Sequence, residues 1–432
     1  MSRTIELGCD VLVIGAGPAR IAASVCAAES GSAVILVDDN PRPGGQIWRA
    51  AAETENGGSR EKQAALWLDR LRKSSARLLL STCVVARLAD RLVLAENKAE
   101  AIEISFGRAI LATGARELML PFPGWTLPNV FAPGGLQALV KSGFPVEGKR
   151  IVVAGTGPLL LAVAAFLKSK QARIEGVYDQ ASWGSMIPFA GSVFKRPAMF
   201  RAALGYGASL RSSPYRCGWW PVSAKGTDRL QSVTMTNGTQ VKTIECDMLA
   251  CGFHLVPNTE LQSAFGCVLA VGKAQVDEWQ RTTTDGVFSV GESTGIGGLD
   301  LALVEGQIAG LAAAGKSDHA SRLLQKRNAL VKLARAMDRA FALRPELRRL
   351  AQPDTIVCRC EDVRWSSLQG QQSVRPARLY TRCGMGPCQG RVCGAALQFL
   401  FGWESAGTRP PVYPALLSTL IREPHDLYKE KP

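Results

Sequence analysis

Five of the twelve cysteines crowd into residues 358–393, as Cys358-Arg-Cys360 and then Cys383-Gly-Met-Gly-Pro-Cys388-Gln-Gly-Arg-Val-Cys393. Thiolates on short loops are ligands for soft metals, and small neighbouring residues let backbone N–H groups bond the sulfurs of an iron–sulfur cluster. Cys-x-Cys plus Cys-x4-Cys supplies four ligands, Cys358, Cys360, Cys388 and Cys393, with Gly384, Gly386 and Gly390 beside the second pair. Cys383 is an extra thiol and an alternative ligand. Zinc would accept the same four thiolates. The remaining cysteines are scattered, with no Cys-x-x-Cys before residue 350; Cys246 and Cys251, five residues apart, make a poor redox pair, so disulfide reduction is disfavoured.

A second chemistry is written in glycines. Gly15-Ala16-Gly17-Pro18-Ala-Arg20 follows an apolar run and opens an Ala-rich helix. Gly15 permits the tight turn, and Gly17 lets backbone N–H groups reach a pyrophosphate at the positive helix end. The third glycine of this fingerprint is replaced by Arg20, a long side chain where helix and strand should pack closely. Asp39 closes the second strand, where a carboxylate holds ribose hydroxyls, and the adjacent Asp38 could take that role. Another glycine loop follows at Gly44-Gly45-Gln46, and Thr113-Gly114 and Gly291-Glu292 each end a strand. A second fingerprint, Gly155-Thr-Gly157-Pro-Leu-Leu160, is followed by Asp179, again placed to hold a ribose.

The elements that must position these residues alternate between strand and helix: strand 9–14, helix 21–29, strand 33–37, then strand 150–154, helix 159–168, strand 173–178. Such alternation implies parallel sheets with crossover helices. The expected fold class is α/β, with two Rossmann-like dinucleotide-binding domains and a small, mainly helical C-terminal domain. We place a discontinuous first domain at 1–120 and 280–345, a second nucleotide domain at 121–279, and the cysteine domain at 350–432.

Composition narrows the function classes. The chain has 432 residues, a net charge of +14 and 43 glycines. Its basic residues are dispersed without an aromatic-interleaved stripe, so no nucleic-acid partner is expected. No stretch approaches the roughly 18 to 20 uncharged apolar residues of a spanning helix, and no signal peptide opens the sequence, so a cytoplasmic location is expected. The three histidines, His254, His319 and His425, read as structural or surface residues, and no catalytic acid or base is assigned.

The order of these loops over residues 8–315 resembles the two-dinucleotide-domain flavoproteins that include glutathione reductase and thioredoxin reductase. That resemblance implies FAD in the first domain, with Gly291-Glu292 standing where the family has Gly-Asp on the ribityl chain. It implies NAD(P) or another adenine nucleotide in the second domain, unless that domain is kept for packing. The cysteine pattern resembles the bacterioferritin-associated-ferredoxin-like 2Fe-2S module.

Together these resemble the alpha or A-type subunits of heteromeric flavin-dependent amine and amino-acid dehydrogenases. That group includes the opine oxidase A subunit, the alpha subunit of D-hydroxyproline dehydrogenase and the hydrogen cyanide synthase B subunit; part of the sarcosine oxidase alpha chain is similar. The stretches that carry the likeness are Pro-Arg-Pro-Gly44-Gly45-Gln46-Ile-Trp-Arg, Ala112-Thr-Gly-Ala-Arg-Glu117, Gly295-Ile-Gly-Gly-Leu-Asp-Leu-Ala302, Glu305-Gly-Gln-Ile-Ala-Gly310 and Arg382-Cys-Gly-Met-Gly-Pro-Cys-Gln-Gly-Arg391. Arg20 and Cys383 depart from the small residues expected there.

The resemblance implies an electron-transfer subunit carrying FAD and a 2Fe-2S cluster. A beta subunit with its own flavin would oxidise a C–N bond of an amino acid or opine. The resemblance also implies an FMN at the subunit interface and a small ferredoxin-like gamma subunit, with an acceptor that can lie at the inner membrane. The alternatives are a stand-alone NAD(P)H-dependent flavoprotein reductase and a glycine-oxidising hydrogen cyanide synthase subunit.

Overall fold

The run Val11-Leu-Val-Ile14 shows no alternation, as a strand covered on both faces must not, and all four residues are buried. In the computed structural model, which describes residues 4–48, 59–404 and 407–421, it ends the central strand of a seven-stranded sheet. The elements are β1 (Thr4–Ile14), α1 (Pro18–Glu29), β2 (Val34–Val37), β3 (Arg77–Leu79), β4 (Cys83–Ala89), β5 (Leu92–Glu96) and β6 (Ala101–Leu111). Their order is β3-β2-β1-β6-β5-β4, with the strand Val287–Ser289 added beside β6. The chain leaves β1 through α1 to β2 on one side, and β6 lies on the other. The topological switch point is therefore between the carboxyl ends of β1 and β6, where ligands of open α/β sheets bind.

The Ala-rich character of α1 has a packing cause. Helix Gly298–Ala313 runs against it so closely that a Cβ at Gly306 would collide with the carbonyl of Ala19, and one at Gly310 with that of Ala23. Only glycine on one helix and small residues on the other permit that approach.

The chain forms two units. The first contains residues up to 115, residues 257–331 and the stretch from 407; the second contains 116–256 and 332–404. The segment 257–279, expected in the second domain, packs in the first unit. Gln262 there donates to Thr113 Oγ1 and Ser289 Oγ, each at 3.1 Å, and Phe265 stacks on Phe106 at a centroid distance of 6.3 Å.

The second unit is built on a five-stranded parallel sheet ordered Tyr215–Cys217, Arg173–Asp179, Arg150–Gly155, Met248–Gly252, Val130–Phe131. A three-stranded antiparallel sheet, Trp220–Lys225, Ser232–Thr236 and Val241–Glu245, accompanies it. The cysteine module, a short hairpin of Ile356–Cys358 with Val363–Arg364 followed by short helices, packs in this unit. Leu347, Leu350 and Ala396 share one core with Leu118, Phe122 and Trp220.

Trp125 anchors the module. It is buried, its Nε1–H donates to the carbonyl of Ile356 at 2.6 Å, and the Arg359 guanidinium lies 5.5 Å from its ring centroid. Trp125→Phe leaves that carbonyl without its donor, at a cost of roughly 1 to 3 kcal/mol. The expected result is faster amide hydrogen exchange in the 356–364 hairpin with β1 to β6 unchanged. Equal protection there would show that the anchor is not Trp125. Among the described residues, no helix is long and apolar enough to cross a membrane.

Candidate cofactor-binding sites

The first glycine loop lies at the switch point. Gly15 has φ +101°, a left-handed value that a Cβ would strain, and Gly17 faces open space. Pro18 opens α1 at the position where its missing N–H costs nothing. The N-cap Gly17 offers no side-chain cap, and Arg20 N and Ile21 N bond its carbonyl at 3.1 and 3.0 Å, so what the loop presents to an anion is the positive end of the helix. The second loop is latched onto the first: Gly44 N donates to Ala16 O at 2.7 Å, and a Cβ on Gly45 would come within 3.0 Å of Gly17 Cα. Gln46 is exposed on the single turn Gly45–Trp48, while Trp48 is buried beneath it.

The other two loops converge from β6 and Val287–Ser289. Thr113 and Gly114 (φ +73°) follow β6, held by Thr113 Oγ1 on the carbonyl of Asn258 and by Asn258 N on Gly114 O at 2.9 Å. Gly291 (φ +68°) opens a turn in which Glu292 accepts from Gly298 N at 2.9 Å. Sequence reading missed what holds this turn. Glu305, buried in helix Gly298–Ala313, accepts from Gly291 N at 3.1 Å and from Thr294 at 3.3 Å, and pairs with Arg327 at 3.3 Å. Burial pushes its carboxyl upward, opposed by Arg327. Its place within a helix of small residues, in the stretch Glu305–Gly310 that carries the family likeness, was the available signal.

Asp38, not Asp39, turns toward the loop. Asp38 is buried and accepts from Ala16 N, from Asn40 N and Nδ2 at 2.8 Å each, and from Arg20 Nη1 at 3.0 Å; Asp39 is exposed. Arg20 also donates through Nε to Ala112 O just beyond β6. Burial lowers its pKa, and Asp38 opposes that effect. The glycine turns and the free helix end fit a dinucleotide; Arg20 is the one residue that does not.

The second fingerprint is built differently. Gly155 (φ +129°) is required because a Cβ there would strike the carbonyl of Gly252, and Gly157 (φ +95°) faces open space. Asp179 is fully buried and turned onto its own loop, accepting from Gly157 N at 3.1 Å, Ala181 N at 2.9 Å, Thr156 Oγ1 at 3.2 Å and Tyr215 Oη at 3.4 Å. Residues 341–344 cross the same loop. Gln180 donates to Ala342 O at 3.1 Å and accepts from Arg344 N at 3.2 Å, and Phe341 stacks edge-on against Phe189 at 5.6 Å.

Burial pushes the Asp179 carboxyl up to about 6, against those four donors. A group raised in the folded state stabilises the fold least once ionised, so its contribution falls as pH rises from about 4 to about 6. That difference is worth on the order of 3 kcal/mol. Asp179→Asn is therefore expected to gain in Tm relative to wild type as pH rises from 4 to 7. A Tm difference that is flat with pH would contradict this placement.

The thiols come together. Among the described residues, Cys358, Cys383 and Cys393 are buried with their sulfurs within 4.8 Å of one another. Gly384 N donates to Cys358 Sγ at 3.4 Å, the kind of N–H to sulfur bond that iron–sulfur ligands receive. Cys393 is the first residue of helix Cys393–Phe401, where the helix end favours a thiolate. Cys360 is exposed, and its thiol contacts that of Cys388.

Left-handed turns at Arg382, Gly384, Gln389 and Gly390 fold the second loop onto the first. The closest approach is at Gly386, where a Cβ would strike that of Cys360. Hydrogen bonds from Cys383 and Cys393 pull Cys358 down to about 2, and sharing with Cys358 pushes Cys383 up to about 12 and Cys393 up as well. Three such buried thiols cannot all ionise without a cation among them, so the donor set fits a soft metal centre. Cys383, read as an extra thiol, lies inside this group. His254 sits in the left-handed region (φ +112°) with its ring on Leu255 O at 3.0 Å, a structural role, and His319 is exposed. His425 lies outside the described residues.

Comparison with known proteins agrees with this architecture. Residues 9–188 match the family described as pyridine nucleotide-disulphide oxidoreductase. The opine oxidase A subunit of Rhizobium meliloti (strain 1021) is 32% identical, covering 94% of this chain and 97% of its own. The hydrogen cyanide synthase subunit HcnB of Pseudomonas protegens is 31% identical, covering 88% of this chain and 89% of its own. The structure of L-proline dehydrogenase from P. horikoshii superimposes with a TM-score of 0.72 over 98% of this chain and 81% of that one, at 18% identity, a likeness of fold. The chain thus belongs to the family of flavin oxidoreductase subunits that contains the opine oxidase A subunit and the hydrogen cyanide synthase subunit HcnB.

Proposed function

We propose that this chain is the electron-transfer subunit of a heteromeric dehydrogenase that acts on CH-NH or CH-NH2 donors, an amino acid or an opine. In this reading FAD lies at the switch point, and a 2Fe-2S cluster is held by Cys358, Cys360, Cys388 and Cys393. The observation that carries the proposal is the gathering of buried thiols at 358, 383 and 393, with Cys360 and Cys388 in contact beside them. A flavin supplies two-electron chemistry and an iron–sulfur cluster one-electron transfer.

The chain's own residues would bind and orient these groups. Gly15, Ala16, Gly17 and Pro18 present the helix end to the pyrophosphate. Asp38, with Asp39 beside it, faces the ribose, and Gly44, Gly45 and Gln46 cover it. Thr113, Gly114, Gly291 and Glu292 line the flavin side.

This chain supplies no assigned acid or base for amine chemistry, so C–N oxidation falls to a flavin-containing beta subunit. An FMN between the subunits and a small ferredoxin-like gamma subunit belong to the same proposal. The relatives from opine oxidase and hydrogen cyanide synthase are themselves named as subunits, which supports a heteromeric assembly. The assembly would lie in the cytoplasm.

The rival reading is a stand-alone NAD(P)H-dependent reductase using Gly155 and Gly157. What disfavours it is the cover on that loop: residues 341–344 cross it, with Gln180 donating to Ala342 O at 3.1 Å and accepting from Arg344 N at 3.2 Å. The test is a complex purified from the native host under anaerobic conditions. Amine substrate is expected to bleach the flavin absorbance and NADH to leave it unchanged. Bleaching by NADH alone, with none by amino acids or opines, would replace this proposal with the reductase.

A further inference from the structure

Arg20 stands in the third position of the first fingerprint, and its side chain lies along the carboxyl ends of three strands. Nε donates to Ala112 O past β6, and Nη1 pairs with Asp38 past β2 at 3.0 Å. A Cβ on Gly15, past β1, would collide with the guanidinium, and Nη2 comes within 3.6 Å of where a Cβ on Gly114 would sit. The guanidinium therefore bridges the switch point across which a dinucleotide must run. It also uses the carboxylate that ribose hydroxyls would need: both Asp38 oxygens already accept from Ala16 N, Asn40 and Arg20.

A phosphate counter-ion would hold its charge free at the mouth of the helix. Arg20 instead spends Nε on a carbonyl and Nη1 on an acid, mostly buried (side chain 14% exposed). We infer that Arg20 is an internal competitor of the flavin dinucleotide: it closes the crevice by pairing with Asp38, and FAD binds only by displacing it. This rests on the reading that the crevice takes FAD. The first unit is then a weak, exchangeable flavin site in which the adenosine half and Arg20 compete for one carboxylate.

The test uses the full-length chain stripped of flavin, with FAD titrated back and followed by flavin fluorescence, for wild type, Arg20→Gly and Arg20→Ala. Both variants are expected to bind FAD about tenfold or more tightly than wild type, about 1.4 kcal/mol. Wild type is expected to lose FAD on desalting while the variants keep it. Equal or weaker binding by the variants overturns the inference, as does wild-type protein that keeps its full flavin through desalting. If all three bind FAD equally tightly, the inference falls and the flavin assignment stands; if none binds FAD, both fall. Circular dichroism shows whether each variant is folded, and should Arg20→Gly not fold, Arg20→Ala and the wild-type desalting result decide.

Discussion

Replacing Cys393 with serine is expected to strip the chain of its metal and loosen the C-terminal part of the second unit. Cys393 is buried at a helix start, within 4.8 Å of the Cys358 and Cys383 sulfurs, so its loss removes one of the gathered thiolates and leaves a hydroxyl, a poor ligand for a soft metal, in its place. Iron is expected to fall from about two per chain to under about 0.2. Cys358, Cys383 and Cys393 are themselves core residues, packed with Val357, Leu368, Ala377 and Leu397. A site absent from the unfolded chain contributes its binding free energy to folding, so the module should lose at least ~3 kcal/mol of apparent stability. Chemical denaturation followed by tryptophan fluorescence reads this, since Trp365 and Trp403 both stack on Phe401, at 4.7 and 4.4 Å.

Cys383→Ala is the informative partner. If the four ligands are Cys358, Cys360, Cys388 and Cys393, it keeps full iron. If it loses iron as Cys393→Ser does, Cys383 is a ligand and Cys360 or Cys388 is not.

The second large effect lies in the first unit. Gly306→Val places a branched side chain against the Ala19 carbonyl, where even a Cβ collides. Because backbone cannot yield as a side-chain tip can, the helix must move off α1. The cost is about 3 kcal/mol or more, and the displaced α1 carries the phosphate-binding end with it, so FAD uptake should fall together with stability. Gly205→Ala is the control. That glycine lies inside helix Pro197–Ser209 with nothing within 4 Å of an added Cβ, so alanine should stabilise by roughly 0.5 to 1 kcal/mol. Equal midpoints for Gly306→Val and wild type in urea would show that α1 and Gly298–Ala313 are not in close contact.

Much of this architecture was legible because strand periodicity and glycine spacing are local. The unbroken apolar run at Val11–Ile14 marked a central strand, and the fingerprints marked both turns. The ends were less legible. β1 starts at Thr4, where exposed and half-buried residues alternate, and β6 starts at Ala101 and mixes buried and exposed residues along its middle; charged side chains there hide both strands. α1 begins at Pro18 and not at residue 21, because proline's fixed φ suits the first helical position.

Contacts between distant residues were not legible. Nothing in the spacing says that Asp38 faces inward and Asp39 outward, since one residue of twist after β2 decides it. Gln262 looks like a loop residue until it is seen buried between Thr113 and Ser289. The five thiols could be counted from sequence, but which three share a pocket depends on left-handed turns at Arg382 and Gln389, residues with no glycine to announce them.

The most direct measurement is electron paramagnetic resonance of the full-length chain, purified without oxygen and reduced with dithionite, alongside iron and sulfide analysis. The predicted result is a half-integer signal near one spin per chain with about two irons and two sulfides. A silent, colourless protein containing zinc and no sulfide would contradict it.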